Sequence, residues 1–473
     1  MRVLFVHKQL DYELQGLMYM SSVLKSAGHE VALVVADQDD PVAFAAQYRP
    51  GLLGYSVCTG DQHYYLAMNR RIRQQIDAFS AFGGPHPTFF PEMIESEGVD
   101  GICIGEGEYA LLDMVNALEQ GQRVAGIANW WVKAGGEIYR NPPRPLVDDL
   151  DSLPPPDHDL IYASHKVLRR SKIKHFIAGR GCPYDCSYCF NHAYHEWYNG
   201  KGKRVRHRSV DAVIAEVRAV KEKYPLEFVV FLDDVFILAR RWLTEFADRY
   251  PHEIGLPFFC NVRANLVDEN LVALLKRAGC VTVSLGIEAG NDDLRNRILK
   301  RNMSKDQIFR AARLIRQAGM HLVTTNMIGL PGGTLENDLE TLDLNARVRP
   351  SYANVFLFQP YPRTALGEYA VKEGYIEGSL DDIKPSAWET SIIKFSSRKE
   401  KRRIETLQKL FALGVEFPWA IPLTKQLIKV PNNPVYWLAY KLWKGYAIKK
   451  RVHPHHLAPW EYAQVVAHFM KLD

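Results

Sequence analysis

The sequence has no long apolar run. No stretch approaches ~18 uninterrupted apolar residues, which speaks against a spanning helix. The opening MRVLFVHKQL has no basic leader, no extended apolar region and no small-residue cleavage site, so it does not read as a secretory signal. Internal repeats and low-complexity tracts are absent too, which leaves solenoid and disordered architectures without support. Acidic residues become scarce near the end: residues 398 to 473 carry 14 Lys/Arg against 5 Asp/Glu. The net charge is +5 overall, so the preceding 397 residues sum to −4 and the basic character belongs to the tail. Cysteine is sparse and odd in number, seven in 473 residues, and no disulfide framework follows from that count. A reducing cytoplasm with thiolates free to bind metal is the expectation.

What is present is a globular composition, 47% hydrophobic and 24% charged, on a chain long enough for roughly three domains. From residue 1 to 140 short apolar runs (RVLFVH, EVALVVAD, LLGYSVCT, AFSAFGG, VDGICIGEG) alternate with helix-length amphipathic ones. That alternation predicts a doubly wound, Rossmann-like parallel sheet with ligands at the carboxyl ends of its strands. Residues 141 to 173 begin with the Pro-rich, acidic NPPRPLVDDLDSLPPPDHDL and read as an ordered linker or strap. Strand and helix signals alternate again over 174 to 367, consistent with a partial or full parallel (β/α) barrel. Residues 368 to 473 form a basic, aromatic and mostly helical C-terminal region.

The stretch GRGCPYDCSYCFN places Cys182, Cys186 and Cys189 within eight positions, spaced C-x3-C-x2-C. A structural zinc site wants four ligands, usually as two pairs. The other cysteines, Cys58, Cys103, Cys260 and Cys280, stand singly inside apolar runs and behave as small hydrophobes. Three thiolates in one loop suit a cubane iron–sulfur cluster in which one iron keeps an open position. The competing readings are chance crowding, or a zinc site completed by His192 or His195.

With Tyr188 before the third cysteine and a strand before the first, this stretch resembles the signature of the radical S-adenosylmethionine (SAM) superfamily. The resemblance extends in order over 174 to 367. FVVFLDDVF places Asp233 and Asp234 where the family holds the SAM amino group, although Asp234 would serve equally as a helix N-cap. Arg263 in FFCNVRANL matches a strand end that contacts SAM or substrate, and Ser284 and Glu288 in VSLGIEAGND match the ribose-contacting strand. Ile328 and Gly329 in MIGLPGGT match the strand whose backbone lies against adenine, where glycine permits close approach. FQPYPRTALG resembles the closing P-x-P-G-T stretch, with Arg363 in place of glycine. The resemblance implies substrate-side roles for Tyr194, Tyr198, Arg263, Tyr361 and Arg363, with Arg263 and Tyr361 joining the cysteines as catalytic candidates.

The N-terminal runs are similar, in the same order, to the cobalamin-binding domain of the class B radical SAM enzymes. Ser56, Thr59 and Gly60 at one strand end, Gly83, Gly84 and Thr88 at another, and Gly105 and Glu106 at a third, offer hydroxyls and unshielded amides to a large amide-fringed cofactor. DQHYYL nearly matches the D-x-H-x-x-G motif that supplies a histidine ligand to cobalt. It has Leu66 for the glycine and follows the third strand, not the first. Cobalamin without a protein histidine ligand is therefore expected, with His63 an ordinary helix-start residue and His7 likewise uninvolved.

The resemblance implies an enzyme in which SAM on the open iron yields a 5′-deoxyadenosyl radical and methylcobalamin delivers a methyl group to an unactivated carbon. The alternative keeps both cofactors without methyl transfer, in ring formation, rearrangement or oxidation of a lipid or natural product. A non-catalytic iron–sulfur and cobalamin sensor is the third reading. The expected partners are a small or lipid-like substrate and an electron donor such as flavodoxin or ferredoxin. The tail mixes Trp419, Trp437, Trp443 and Trp460 with Lys and Arg, which suits a helical cap, a membrane interface at the inner face, or, as the least favoured reading, nucleic acid.

Overall fold

The computed structural model describes residues 1–455 and divides into two compact units. The first comprises Met1–Arg180 with Ala193–Leu226, and the second Gly181–His192 with the chain from Glu227 onward.

In the first unit strands and helices alternate as β1 (Arg2–His7), α1 (Gln15–Ser26), β2 (Glu30–Val35), α2 (Pro41–Tyr48), β3 (Leu52–Ser56) and α3 (Gln62–Arg73). They continue as β4 (Phe79–Gly83), α4 (Pro85–Phe89), β5 (Gly101–Cys103) and α5 (Glu108–Glu119). The strands run parallel in the order β2-β1-β3-β4-β5. β1, β3 and β5 are buried almost throughout, as strands covered by helices on both faces must be. The sheet is then extended by an antiparallel hairpin, β6 (Trp130–Ala134) and β7 (Glu137–Arg140). Sequence periodicity did not anticipate it. Its signal is Gly135-Gly136, both at positive φ (57° and 84°), the backbone a two-residue hairpin turn needs.

The Pro-rich strap is ordered. Its Asp157 caps α6 (His158–Ser164) and accepts hydrogen bonds from Ser21 Oγ and Lys25 Nζ of α1, both at 2.6 Å. After α7 (Lys166–Arg170) and β8 (Ile173–Phe176), the pair β9 (Gly179–Arg180) and β10 (Arg206–His207) flanks α8 (Phe190–Trp197) in sequence, followed by α9 (Val210–Lys223).

Two carboxylates are fully enclosed in this unit. Glu216 accepts from His158 Nε2 at 2.7 Å and from Arg208 Nη1; Glu13 accepts from Tyr162 Oη at 2.8 Å and pairs with His175 Nδ1 at 2.7 Å. Burial alone would raise both carboxyls, but these partners carry them below the ordinary value. A depressed folded pKa contributes stability above the unfolded value, about 4.3, and that stability is lost as pH falls through the folded value. Urea midpoints should therefore drop steeply below about pH 4.3. Glu216→Gln should cost about 2 kcal/mol at pH 7 and flatten that acid limb.

The second unit runs β11 (Phe228–Phe231), α10 (Arg240–Glu253), β12 (Phe258–Val262), α11 (Glu269–Arg277), β13 (Cys280–Glu288), α12 (Lys305–Gln317), β14 (His321–Ile328), α13 (Leu335–Val348) and β15 (Tyr352–Leu357). These five strands are parallel and adjacent in chain order. Among the described residues no pairing joins β15 back to β11, so the barrel is partial. α14 (Ala365–Lys372) follows, then the helical C-terminal region: α15 (Arg398–Glu416), α16 (Ile421–Leu427) and α17 (Pro434–Ala447). α15 buries Ile404, Leu407 and Phe411 against β15 and α13, so part of the tail is core. Trp460 lies outside the described residues.

Candidate active site

The cysteine loop leads into α8. Tyr188 sits among the apolar residues Leu294, Leu299 and Phe358, and Ser187 ties the loop to the turn after β13 through Ser187 N to Leu299 O (3.2 Å) and Ser187 Oγ to Ile298 O (2.5 Å). Cys186 is buried and Cys182 and Cys189 are half-buried. Burial pushes the Cys182 thiol up to about 11 and that of Cys189 to about 12, so a metal must displace their protons. Among the described residues no three Cys, His, Asp or Glu side chains gather closely enough for a single metal ion. His192 is engaged besides, its Nε2 accepting from Ala365 N at 2.8 Å.

Two guanidinium groups converge on Cys186. Arg263 Nη1 is 3.5 Å from its Sγ and Arg301 Nη1 is 3.8 Å away. Arg263 also donates to the Arg301 carbonyl and lies over the Tyr184 ring at 3.9 Å. Arg301 donates to Tyr188 Oη (3.1 Å) and to Gly286 O (2.5 Å). The Nε atoms of both arginines are buried without an acceptor, which is unusual for guanidinium donors and fits a site built to receive an anionic or sulfur-rich group. Asn191 Nδ2 bridges Cys189 Sγ at 3.5 Å and Asp234 Oδ2 at 3.1 Å.

The strand ends bring the expected SAM-side residues together. Asp233 closes β11 with its carbonyl accepting from Asn261 Nδ2 at 2.9 Å. Ser284 is buried in β13 opposite Asn261. Glu288 ends β13 at φ 67°, where the register with β14 shifts, so a bulge re-aims its side chain. Its carboxyl is held above the ordinary value by burial, opposed chiefly by Arg301, and accepts from Thr325 Oγ1 at 3.4 Å. Gly329 is at φ 71°, its N–H shared between both oxygens of buried Asp338 at 3.1 Å. The Ile328 side chain points into the core around α15 and its carbonyl accepts from Phe358 N, and Gly329 is buried too, a Cβ there lying 3.1 Å from the Phe395 ring. Arg363 sits at φ 58°, a left-handed backbone that glycine adopts without strain. Tyr361 is 40% exposed, so its ring is not part of the buried cluster.

In the first unit the carboxyl ends of β3, β4 and β5 form a second cradle. Gly60, Gly84 and Gly105 all have positive φ (102°, 92° and 82°). A Cβ on Gly84 would lie 3.0 Å from Val57 N and 3.1 Å from Ser56 Oγ, and one on Gly105 would collide with Tyr198 Oη. Thr88 Oγ1 accepts from Gly105 N at 3.2 Å and Thr59 Oγ1 meets His86 Nδ1 at 3.2 Å. This glycine- and hydroxyl-edged surface fits a flat, amide-fringed group. Gly83, by contrast, is open, with nothing nearer its would-be Cβ than Cys103 Cβ at 3.9 Å.

Two sequence expectations are qualified by the contacts seen here, and a third, His63, lies where a helix-start residue should. The Glu106 carboxylate is committed to Arg180 (3.2 Å), Arg206 (2.8 Å) and Val147 N (3.0 Å). Tyr198 Oη accepts from Glu106 N at 3.3 Å and from Asn129 Nδ2 at 3.4 Å within this unit, with Tyr194 packed on its ring at 4.6 Å, which places both beside the loop after β5. His63 is exposed on the first turn of α3. His63→Ala should leave corrin binding within about two-fold of wild type, measured by the bound cobalamin absorbance.

Comparison with known proteins bears on both cradles. Residues 176–344 match the radical SAM superfamily and residues 1–115 the B12 binding domain. The chain is a cobalamin-dependent radical SAM enzyme. It is 28% identical over 367 residues to an uncharacterized methyltransferase of Pyrococcus horikoshii, covering 75% of this chain and 78% of that one. It is 26% identical over 394 residues to the anaerobic magnesium-protoporphyrin IX monomethyl ester cyclase of Rubrivivax gelatinosus, covering 76% and 68%. The fold resembles the radical SAM methyltransferase TsrM from Kitasatospora setae, solved with tryptophan and a SAM analogue, at TM-score 0.66 and 21% identity over 80% of this chain and 77% of that one. The cofactors of the enzyme are a [4Fe-4S] cluster, SAM and cobalamin.

Sequence reading missed Arg301 and Asn191. Arg301 lies in ILKRNMSKDQ, which looks like a solvated basic loop, and Asn191 has no pattern beyond its place after Cys189.

Proposed function

We propose that this enzyme is a C-methyltransferase acting on an unactivated carbon of a small, lipid-like molecule. The observation that carries the reading is a three-thiol loop under two buried arginines in a chain that also holds a glycine-edged B12 cradle. The methyltransferase names among its relatives support it. When bound, the cluster and SAM supply a 5′-deoxyadenosyl radical and cobalamin supplies a transferable methyl group.

The chain's own residues hold, orient and shield. Cys182, Cys186 and Cys189 would ligate the cluster, and Arg263 and Arg301 offset the negative charge gathered at Cys186. Tyr188, Asp233, Asp234, Ser284 and Glu288 would position SAM against that loop, with the Gly329 backbone admitting its flat base. Ser56, Thr59, Gly60, Gly83, Gly84, Thr88 and Gly105 would cradle the corrin with no histidine from the protein on cobalt. Tyr361 and Arg363, beyond the buried cluster, are left as substrate-side candidates. A low-potential donor of the flavodoxin or ferredoxin class would deliver electrons. No helix among the described residues is long and apolar enough to cross a membrane, so a lipid-like substrate would be met at a surface.

Glu288→Gln should weaken SAM binding about ten-fold through loss of a charged hydrogen bond while leaving iron content unchanged, read by calorimetry and iron analysis. The function itself is tested by anaerobic reconstitution with cobalamin, SAM and candidate amphiphiles, followed by product mass. A gain of one methylene equivalent with 5′-deoxyadenosine supports it. 5′-Deoxyadenosine with no mass gain favours the second reading, radical chemistry without methyl transfer, which the cyclase relative motivates. No SAM cleavage by fully reconstituted protein leaves the sensor reading.

A further inference from the structure

We propose that the surface formed by α16, α17 and the turn before them docks on an anionic lipid bilayer. The inference stands whether or not a methyl group is transferred.

α17 is apolar on two opposite sides. One side packs inward through Tyr440, Trp443 and Ala447. The other presents Val435 (71% exposed), Leu438, Leu442 (64%) and Tyr446 at spacings of three and four residues, which line up along one face. A helix that is hydrophobic all round belongs in a core or against lipid, and this one has a core on one side only. The apolar strip continues beyond the helix. Tyr446 lies 5.5 Å from Trp443, which is 5.9 Å from Phe417, which is 6.3 Å from Trp419, itself 80% exposed. The run ends at Pro418 and Ile421, which line an open cavity of about 630 Å³ together with Arg316, Arg347, Arg349 and Asp343.

The charge pattern names the partner. Between Phe417 and Trp460 the sequence contains seven Lys/Arg and no Asp or Glu. Lys429 and Lys450 are exposed. Aromatic and aliphatic residues flanked by cations, with three arginines around a cavity at the strip's end, match a headgroup layer carrying negative charge. Nucleic acid fits less well, because Val435, Leu438 and Leu442 give it no ring to stack on.

The full-length reconstituted enzyme should co-sediment with vesicles containing about a third phosphatidylglycerol and at least about ten-fold less with pure phosphatidylcholine vesicles. High salt should weaken that binding. Leu442→Glu with Trp419→Glu should reduce it by about ten-fold or more, and Lys429→Glu or Lys450→Glu by about five-fold each. All four positions are solvent-facing, so iron content and urea midpoints should match wild type and exclude misfolding. The proposal is overturned if the enzyme ignores anionic vesicles, or if the Leu442 and Trp419 changes leave vesicle binding intact. It is equally overturned if light scattering shows a dimer that those changes dissociate with no vesicle binding, since a second copy is then the occupant. Tight single-stranded oligonucleotide binding that vesicles fail to displace overturns it in favour of nucleic acid.

Discussion

Cys186→Ala is expected to produce a folded protein that takes up no [4Fe-4S] cluster and cleaves no SAM. The loop supplies three thiols and no fourth, and the remaining cysteines cannot substitute. Cys260 and Cys280 face each other at 3.9 Å inside the sheet of the second unit, while Cys58 and Cys103 belong to the first. Removing a group that hydrogen-bonds a metal ligand costs about 10- to 100-fold, so loss of a ligand itself should exceed that upper bound in 5′-deoxyadenosine formation. Iron and sulfide per chain and the broad visible absorbance after reconstitution are the direct readouts. The fold should survive, because the cysteine loop contributes no strand to the sheet that holds β11 to β15, and bound cobalamin should be unchanged. A variant that retains the cluster spectrum and SAM cleavage would remove the basis for every role assigned to the loop.

Much of this was legible because the chemistry is local. Three cysteines within eight positions declare themselves by spacing, and Glu288 does so because a charged residue at the end of an apolar strand has few structural uses. The five parallel strands of each unit were visible as apolar runs separated by amphipathic ones. What escaped depends on distant pairings. Arg301 gains its meaning from Tyr188 and Cys186, more than a hundred residues earlier. Glu106 resembles a ligand-loop carboxylate until Arg180 and Arg206 arrive from far along the chain to neutralise it. Tyr198 reads as a substrate-side ring from its nearness to the cysteines in sequence, yet it fills the space above Gly105. Glu106 and Tyr198 were singled out without their partners and Arg301 was not singled out at all, and in each case the partner decides the role.

Arg301 carries the second large expectation. It is buried, and it supports four groups at once: Gly286 O, Tyr188 Oη, Cys186 Sγ and, through its own carbonyl, the guanidinium of Arg263. Burial by itself would lower its pKa; the Tyr188 hydroxyl and Glu288 carboxyl beside it more than reverse that and raise it, so the cation is held by its neighbours. Arg301→Gln removes the charge that opposes the buried Glu288 carboxylate, and breaking one side of such a pairing costs about 3 to 5 kcal/mol. A purely structural role would stop there. A positioning role predicts more, because N–H donors and positive charge near a ligating sulfur raise the reduction potential of an iron–sulfur cluster. The variant's cluster should therefore be harder to reduce, by on the order of 50 mV, which is nearly ten-fold in a one-electron equilibrium. Arg301→Lys separates the two effects: it keeps the charge but cannot reproduce the planar fork that reaches Tyr188 and Gly286 together. It should recover most of the potential and only part of the stability. Spectroelectrochemical titration of the reconstituted proteins, alongside urea unfolding of the metal-free ones, measures both. If the potential of Arg301→Gln matches wild type while its stability falls, Arg301 is a packing residue and the charge at Cys186 is balanced by Arg263 alone.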